Sequence, residues 1–146
     1  MSKAESADLI LKLYELRREA KMREARDWMM TFVPESAADI LQVMIGAETS
    51  GYYRMVTTYW DMAATLVNHG AIDEEMFNDA QGEHTVVFSK IEPFLGELRE
   101  TMSSPKMLLN LETLIMRQPG AKEMLAGRRE MIKRVMEARR ALANNG

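Results

Sequence analysis

Apolar residues recur along this chain at intervals of three and four, the spacing that lines one face of an α-helix. No stretch alternates with the period of two that a half-buried strand needs. The clearest run lies between Thr49 and His69. There Tyr52, Tyr53, Met55, Val56, Tyr59, Trp60, Met62, Ala63, Leu66 and Val67 cover a wide apolar arc, and Arg54, Thr57, Thr58, Asp61, Thr65 and Asn68 fill the remainder. At 1.5 Å per residue this predicts a central helix roughly 30 Å long. It is expected to be the least exposed element, with Val56, Tyr59, Trp60, Ala63 and Leu66 in the core.

Upstream, the pattern predicts a helix from an N-cap at Ser6 to about Phe32, closed by Pro34. At about 100° per residue it carries two stripes. Leu11, Tyr14, Met22, Ala25, Met29 and Phe32 share one side, and Leu9, Leu13, Leu16 and Ala20 follow 4-3-4 steps on the opposite side. Covering both takes another helix of the same chain or a second copy. The expectation is a two-fold homodimer with Leu9, Leu13, Leu16 and Ala20 at its interface.

Caps and breakers divide the rest. Ser36 caps a short helix to about Ile45, closed near Gly46, and Gly70 supplies a left-handed stop to the central helix. Asp73 caps the next turn, with Glu74 and Glu75 at the positive end of its dipole. Beyond Gly82 a helix carries Phe88, Ile91, Phe94, Leu95, Leu98 and Met102 inward, and Pro93 predicts a kink or break within it. Ser104-Pro105 reads as the start of a helix with Leu108, Leu111, Leu114 and Ile115 inward. After Pro119-Gly120 the last helix, about Ala121 to Ala143, has the inner stripe Met124, Leu125, Met131, Ile132, Val135, Met136 and Leu142. The reading is all-α: an irregular helical bundle of about five to seven helices with a long central helix, in a single domain spanning 1–146.

Composition agrees with this. In 146 residues, 47% hydrophobic and 28% charged, Leu, Ala and Met far outnumber β-branched Val and Ile. Fourteen methionines make the chain methionine-rich. Met55, Met62, Met131 and Met136 fall at core spacing, so packing is their expected role. Without cysteine there is no disulfide framework, thiolate metal site or cysteine nucleophile. The longest stretch free of charge, Met62 to Ile72, is too short to cross a bilayer. The start Met1-Ser2-Lys3-Ala4-Glu5 is unlike a signal peptide. A cytoplasmic protein with no membrane span is expected.

The stretch from Trp60 to Phe77, WDMAATLVNHGAIDEEMF, resembles a segment of a bacterial family of all-helical domains of unknown function. A related helix–Gly–helix junction recurs in that family, often beside a membrane anchor, a segment this sequence lacks. The resemblance implies a helical domain and assigns no activity to any residue.

Candidate chemistry is sparse. The residues three before His69 and His84 are Leu66 and Gln81, so the Glu-x-x-His pairs of di-iron bundles are missing, and no metal or other cofactor is expected. No nucleophile elbow, phosphate-cradling loop or nucleotide fingerprint occurs. An enzyme would need carboxylates assembled from distant helices, and the question stays open, leaning against catalysis. Residues 35–100 carry 3 basic and 12 acidic side chains, and residues 101–146 carry 9 and 4. The basic clusters around Arg17-Arg18 and Arg128-Arg129 are interrupted by glutamates in a chain of net charge −3, so nucleic acid is not an expected partner.

Arg128 and Arg139 stand out because their helical angles fall inside the apolar stripe of the last helix. An inward arginine pairs with a carboxylate or awaits an anion. The expectation for Arg128 is an ion pair, with Asp61, Glu92 and Glu112 as candidate partners. The alternative is a ligand site at Arg128 and Arg139. The function read from these features is a non-catalytic, self-associating interaction or scaffold module. The alternative is a small-molecule or anion sensor with a pocket between the central and C-terminal helices.

Overall fold

In a computed structural model that describes residues 2–146, leaving Met1 outside, the predicted first helix is two helices, α1 (Lys3–Arg17) and α2 (Ala20–Thr31). Ser2, not Ser6, caps α1. It forms a capping box in which Ser2 Oγ accepts from Glu5 N at 3.1 Å and Glu5 Oε1 accepts from Ser2 N at 3.2 Å. Ser6 is buried, and its hydroxyl accepts from Asp73 N at 3.0 Å. Glu19 then starts α2 by accepting from Met22 N at 3.0 Å.

The break explains the two stripes. α1 turns Leu13 inward, with Leu9 and Ile10 packed beside it, while α2 turns Met22, Ala25 and Met29 inward. Two helices with one inner face each replace one helix with two. Leu11 and Tyr14, expected on the inner face, are exposed.

The remaining helices are α3 (Ala37–Ile45), α4 (Thr49–Asn68), α5 (Glu74–Ala80), α6 (Glu83–Ile91), α7 (Leu95–Thr101), α8 (Leu109–Met116) and α9 (Ala121–Asn145). A 3-10 turn, Glu92–Phe94, separates α6 from α7 where Pro93 predicted a break. Among the described residues there are nine α-helices and no strand. The all-α expectation holds. The count exceeds seven because the first helix divides at Glu19 and the Phe88 helix at Pro93.

Ser104-Pro105 does not open a helix. Ser103 adopts a left-handed φ of 51°, Ser104 N closes on Arg99 O at 2.9 Å, and the chain runs through turns to Leu108 before α8 begins. Arg99 holds this connection by donating from Nε and Nη2 to Met107 O at 3.0 and 2.8 Å. Asp61 of α4 supplies the missing cap, because its Oδ1 accepts from Leu111 N in the first turn of α8 at 2.9 Å.

α4 packs against α2, α3 and α8, and α6 packs against α8 and α9. Val56, Tyr59, Trp60 and Ala63 are buried as expected, whereas Leu66 is half-buried. The least exposed element, however, is α6. Seven of its nine residues are buried, against eight of twenty in α4, because α4 keeps one polar face open to solvent. Met62 lies on that open face and is exposed.

Trp60 is 1% exposed, lies edge-on to Tyr59 with ring centroids 4.8 Å apart, and carries the Arg17 guanidinium 5.4 Å from its ring centroid. Trp60→Ala is expected to cost about 3–5 kcal/mol. Urea denaturation followed by far-UV circular dichroism checks this, and a loss below about 1 kcal/mol contradicts the placement.

Candidate functional site

The C-terminal helix leaves the body along its length. Pro119 and Gly120, whose φ of +69° favours glycine, turn the chain into α9. Ala121 and Leu125 are buried, and one turn later Arg129 Nη1 donates to Ser89 O at 3.0 Å and lies 3.6 Å from Glu92 Oε2. Past Arg129 no residue of α9 is fully buried. Ile132 and Met136 are half-buried, and Met131, Val135 and Leu142 are 56%, 38% and 74% exposed. Three of the seven residues of the expected inner stripe therefore face water.

Between this part of α9 and the body runs a groove of about 970 Å³. The segment from Thr31 to Glu35, with Lys90 and Phe94, forms one wall, and Ile132, Met136, Arg139 and Arg140 belong to the other. Lys90 is 4% exposed, yet its ammonium donates to two carbonyls at the end of α2, Met29 O and Phe32 O, the latter at 2.8 Å. A cation there complements the negative end of the α2 dipole. None of the ion pairs among the described residues includes Lys90. Burial pushes its pKa down to about 8.

A smaller pocket of about 240 Å³ lies at the other end of α9, lined by Gln81, His84, Thr85, Gln118, Met124 and Arg128 among others. His84 is buried beside Phe77 and Trp60, with ring centroids 5.1 and 5.7 Å away, and its Nδ1 is 3.3 Å from Gln81 Oε1. Burial, with the Arg128 charge second, lowers its pKa to about 4. The imidazole is thus neutral near pH 7, well below the range that suits a general acid or base.

Arg128 does not form the expected ion pair. It is exposed, and its Nε donates to Thr85 Oγ1 at 3.2 Å. Of the candidate partners, Glu92 pairs with Arg129, Glu112 with Arg99, and Asp61 caps α8. The phase of α9 is rotated by one residue from the expectation, so Arg129 takes the inward place. Arg128 and Arg139 line different cavities, and α4 lines neither. Of the expected interface stripe, Leu13 is buried within the chain, Leu9 is half-buried, and Leu16 and Ala20 are exposed. Lys90 escaped the sequence reading although a signal existed: it sits three residues after Val87 and four before Phe94, on the apolar face.

Among the described residues, no group of three or more His, Asp or Glu is placed to hold a metal ion, and no helix is long and apolar enough to cross a membrane. The family model of the domain of unknown function DUF4760 matches residues 3–118. The chain belongs to the DUF4760 family. The family range holds the Trp60–Phe77 junction and ends before α9, which lies wholly outside it. No curated protein and no solved structure matches the chain.

His84 yields a pH test. Its imidazole takes a proton near pH 6.5 when unfolded and near 4 in the fold, so its stabilising share is complete above pH 6.5 and is lost as pH falls through 4. Between about pH 7 and pH 5 the wild type is expected to lose about 2 kcal/mol more stability than His84→Phe. Equal losses in urea denaturation contradict the neutral, buried assignment.

Proposed function

We propose that this domain is a non-catalytic interaction module that self-associates, laying α9 of one copy against the acidic body of another. The observation that carries the reading is the open seam on α9. Met131, Val135, Ala138 and Leu142 follow 4-3-4 steps, the spacing of a coiled-coil face, and all four are exposed. Four residues of this kind on one helix are a docking stripe rather than scattered surface apolars.

Charge supports a second copy as the occupant and sets the orientation. α9 carries seven basic and three acidic side chains, with Arg134 and Arg139 flanking the seam. Two α9 helices laid together would share strongly basic flanks. Residues 35–100, with twelve acidic side chains and three basic, offer the complement, and Asp73, Glu75 and Asp79 there are exposed. Full burial of an apolar side chain contributes about 1.5–3 kcal/mol. Three large ones offset the cost of association only in part, which implies a weak, salt-sensitive dimer. The second reading, a small-anion sensor, is favoured by Arg128, whose guanidinium has a hydroxyl and no carboxylate as partner.

Sedimentation equilibrium tests the self-association. The wild type is expected to dimerise at micromolar concentration and to weaken in high salt, and Leu142→Glu, at an exposed site that the fold does not use, is expected to be monomeric. Leu16→Glu is expected to leave the dimer intact. A wild-type monomer throughout the range overturns the proposal. So does a dimer that survives Leu142→Glu and is lost in Leu16→Glu, which would place the interface on α1.

A further inference from the structure

The groove beside α9 is lined by a buried cation that keeps a donor to spare after capping α2. An ammonium has three N–H groups. Lys90 uses two of them on the carbonyls of Met29 and Phe32, and no acceptor among the described residues takes the third. The lysine is buried without a carboxylate and lines the largest of the cavities described. A buried charge without a counter-ion is costly, and an anion in the groove would relieve that cost.

The rest of the lining says which anion. Val33, Phe94, Ile132 and Met136 give the groove an apolar wall on both sides. Arg129, Lys133, Arg139 and Arg140 outnumber the two carboxylates that also line it, Glu35 and Glu137. From Arg129 to Ala143 the α9 wall is roughly 20 Å long, room for an extended chain of about a dozen carbons. A cleft of this size that pairs apolar walls with a cationic lining suits a ligand that is apolar along its length and anionic at its head.

We infer that the groove binds a single-chain amphiphilic anion, an alkyl carboxylate, whose head accepts from Lys90 and whose chain lies between Phe94 and the Ile132–Met136 face of α9. Arg139 and Arg140 at the far end draw the anion in by charge. The site is separate from the self-association seam, because Ile132 and Met136 face the body while Met131, Val135 and Leu142 face water.

Isothermal titration of the full chain with dodecanoate tests this. One equivalent is expected to bind, dodecanol is expected to bind at least about tenfold more weakly for want of the charged head, and acetate is expected to give no heat. Met136→Trp fills the groove from a half-buried position that the fold does not rely on, and it is expected to weaken dodecanoate by about tenfold or more with the circular dichroism spectrum unchanged. Lys90→Met is expected to erase the preference for dodecanoate over dodecanol. Leu142→Glu, in which self-association is removed, is expected to bind as the wild type does, so the two proposals fail separately. Co-sedimentation with phosphatidylcholine vesicles, with and without phosphatidylglycerol, separates the two sources of an anionic chain. Binding to anionic vesicles without binding of free dodecanoate overturns the inference. Equal affinity for dodecanoate and dodecanol, or an unaffected Met136→Trp, overturns it as well.

Discussion

The arrangement of this domain depends on satisfying α6, a buried helix that is not purely apolar. His84, Thr85, Ser89 and Lys90 all lie inside it; the Thr85 and Ser89 hydroxyls donate to Gly82 O and Val86 O one turn back, and further contacts come from neighbouring elements. Lys90 takes the end of α2, and Glu83 at the start of α6 pairs with Arg26 of α2 at 2.8 Å. His84 sits between Trp60 of α4 and Phe77 of α5. From α9, Arg128 donates to the Thr85 hydroxyl and Arg129 to the Ser89 main-chain carbonyl. Apolar contact supplies most of the stabilisation, but these contacts choose one register for each neighbour, since a slip would leave a buried donor or acceptor unmet.

The same constraint divides α9 into two parts. Its first turns are keyed to α6 through Leu125, Arg128 and Arg129, and in its later turns the body half-covers Ile132 and Met136 alone. One side of that later stretch closes the groove over Lys90, and another is an open apolar seam bounded by arginines. The proposed seam thus lies beyond the matched family range, and the proposed groove spans its edge, with Lys90 and Phe94 inside the range and the α9 wall outside it. A well-packed body that positions an under-packed element is a common way to build a recognition surface.

Much of the fold could be read from the chain, because local rules and tertiary packing agree there. The span of α4, the cap at Asp73, the turn at Gly70 and the break at Pro93 follow from spacing and capping chemistry. The division between α1 and α2 did not, since Glu19 is an unusual cap and no glycine or proline marks the site. Ser104-Pro105 misled because the cap of α8 comes from Asp61, nearly fifty residues earlier in the chain. The site was less readable than the fold. Helical phase alone made Arg128 the inward arginine, whereas contact with α6 turned Arg129 inward, and the same test applied to α6 would have singled out Lys90.

The central claim is that α9 is a two-part element, fixed to α6 at its start and open for a partner beyond Arg129. Amide hydrogen exchange followed by mass spectrometry, on dilute and on concentrated protein, tests it most directly. The account predicts that α6 and the first turns of α9 are slow at both concentrations, and that the protection gained on concentration falls within residues 131–142 and on the acidic face of the partner copy. Uniform protection along the whole of α9 in dilute protein, or a gain confined to α1, would contradict it.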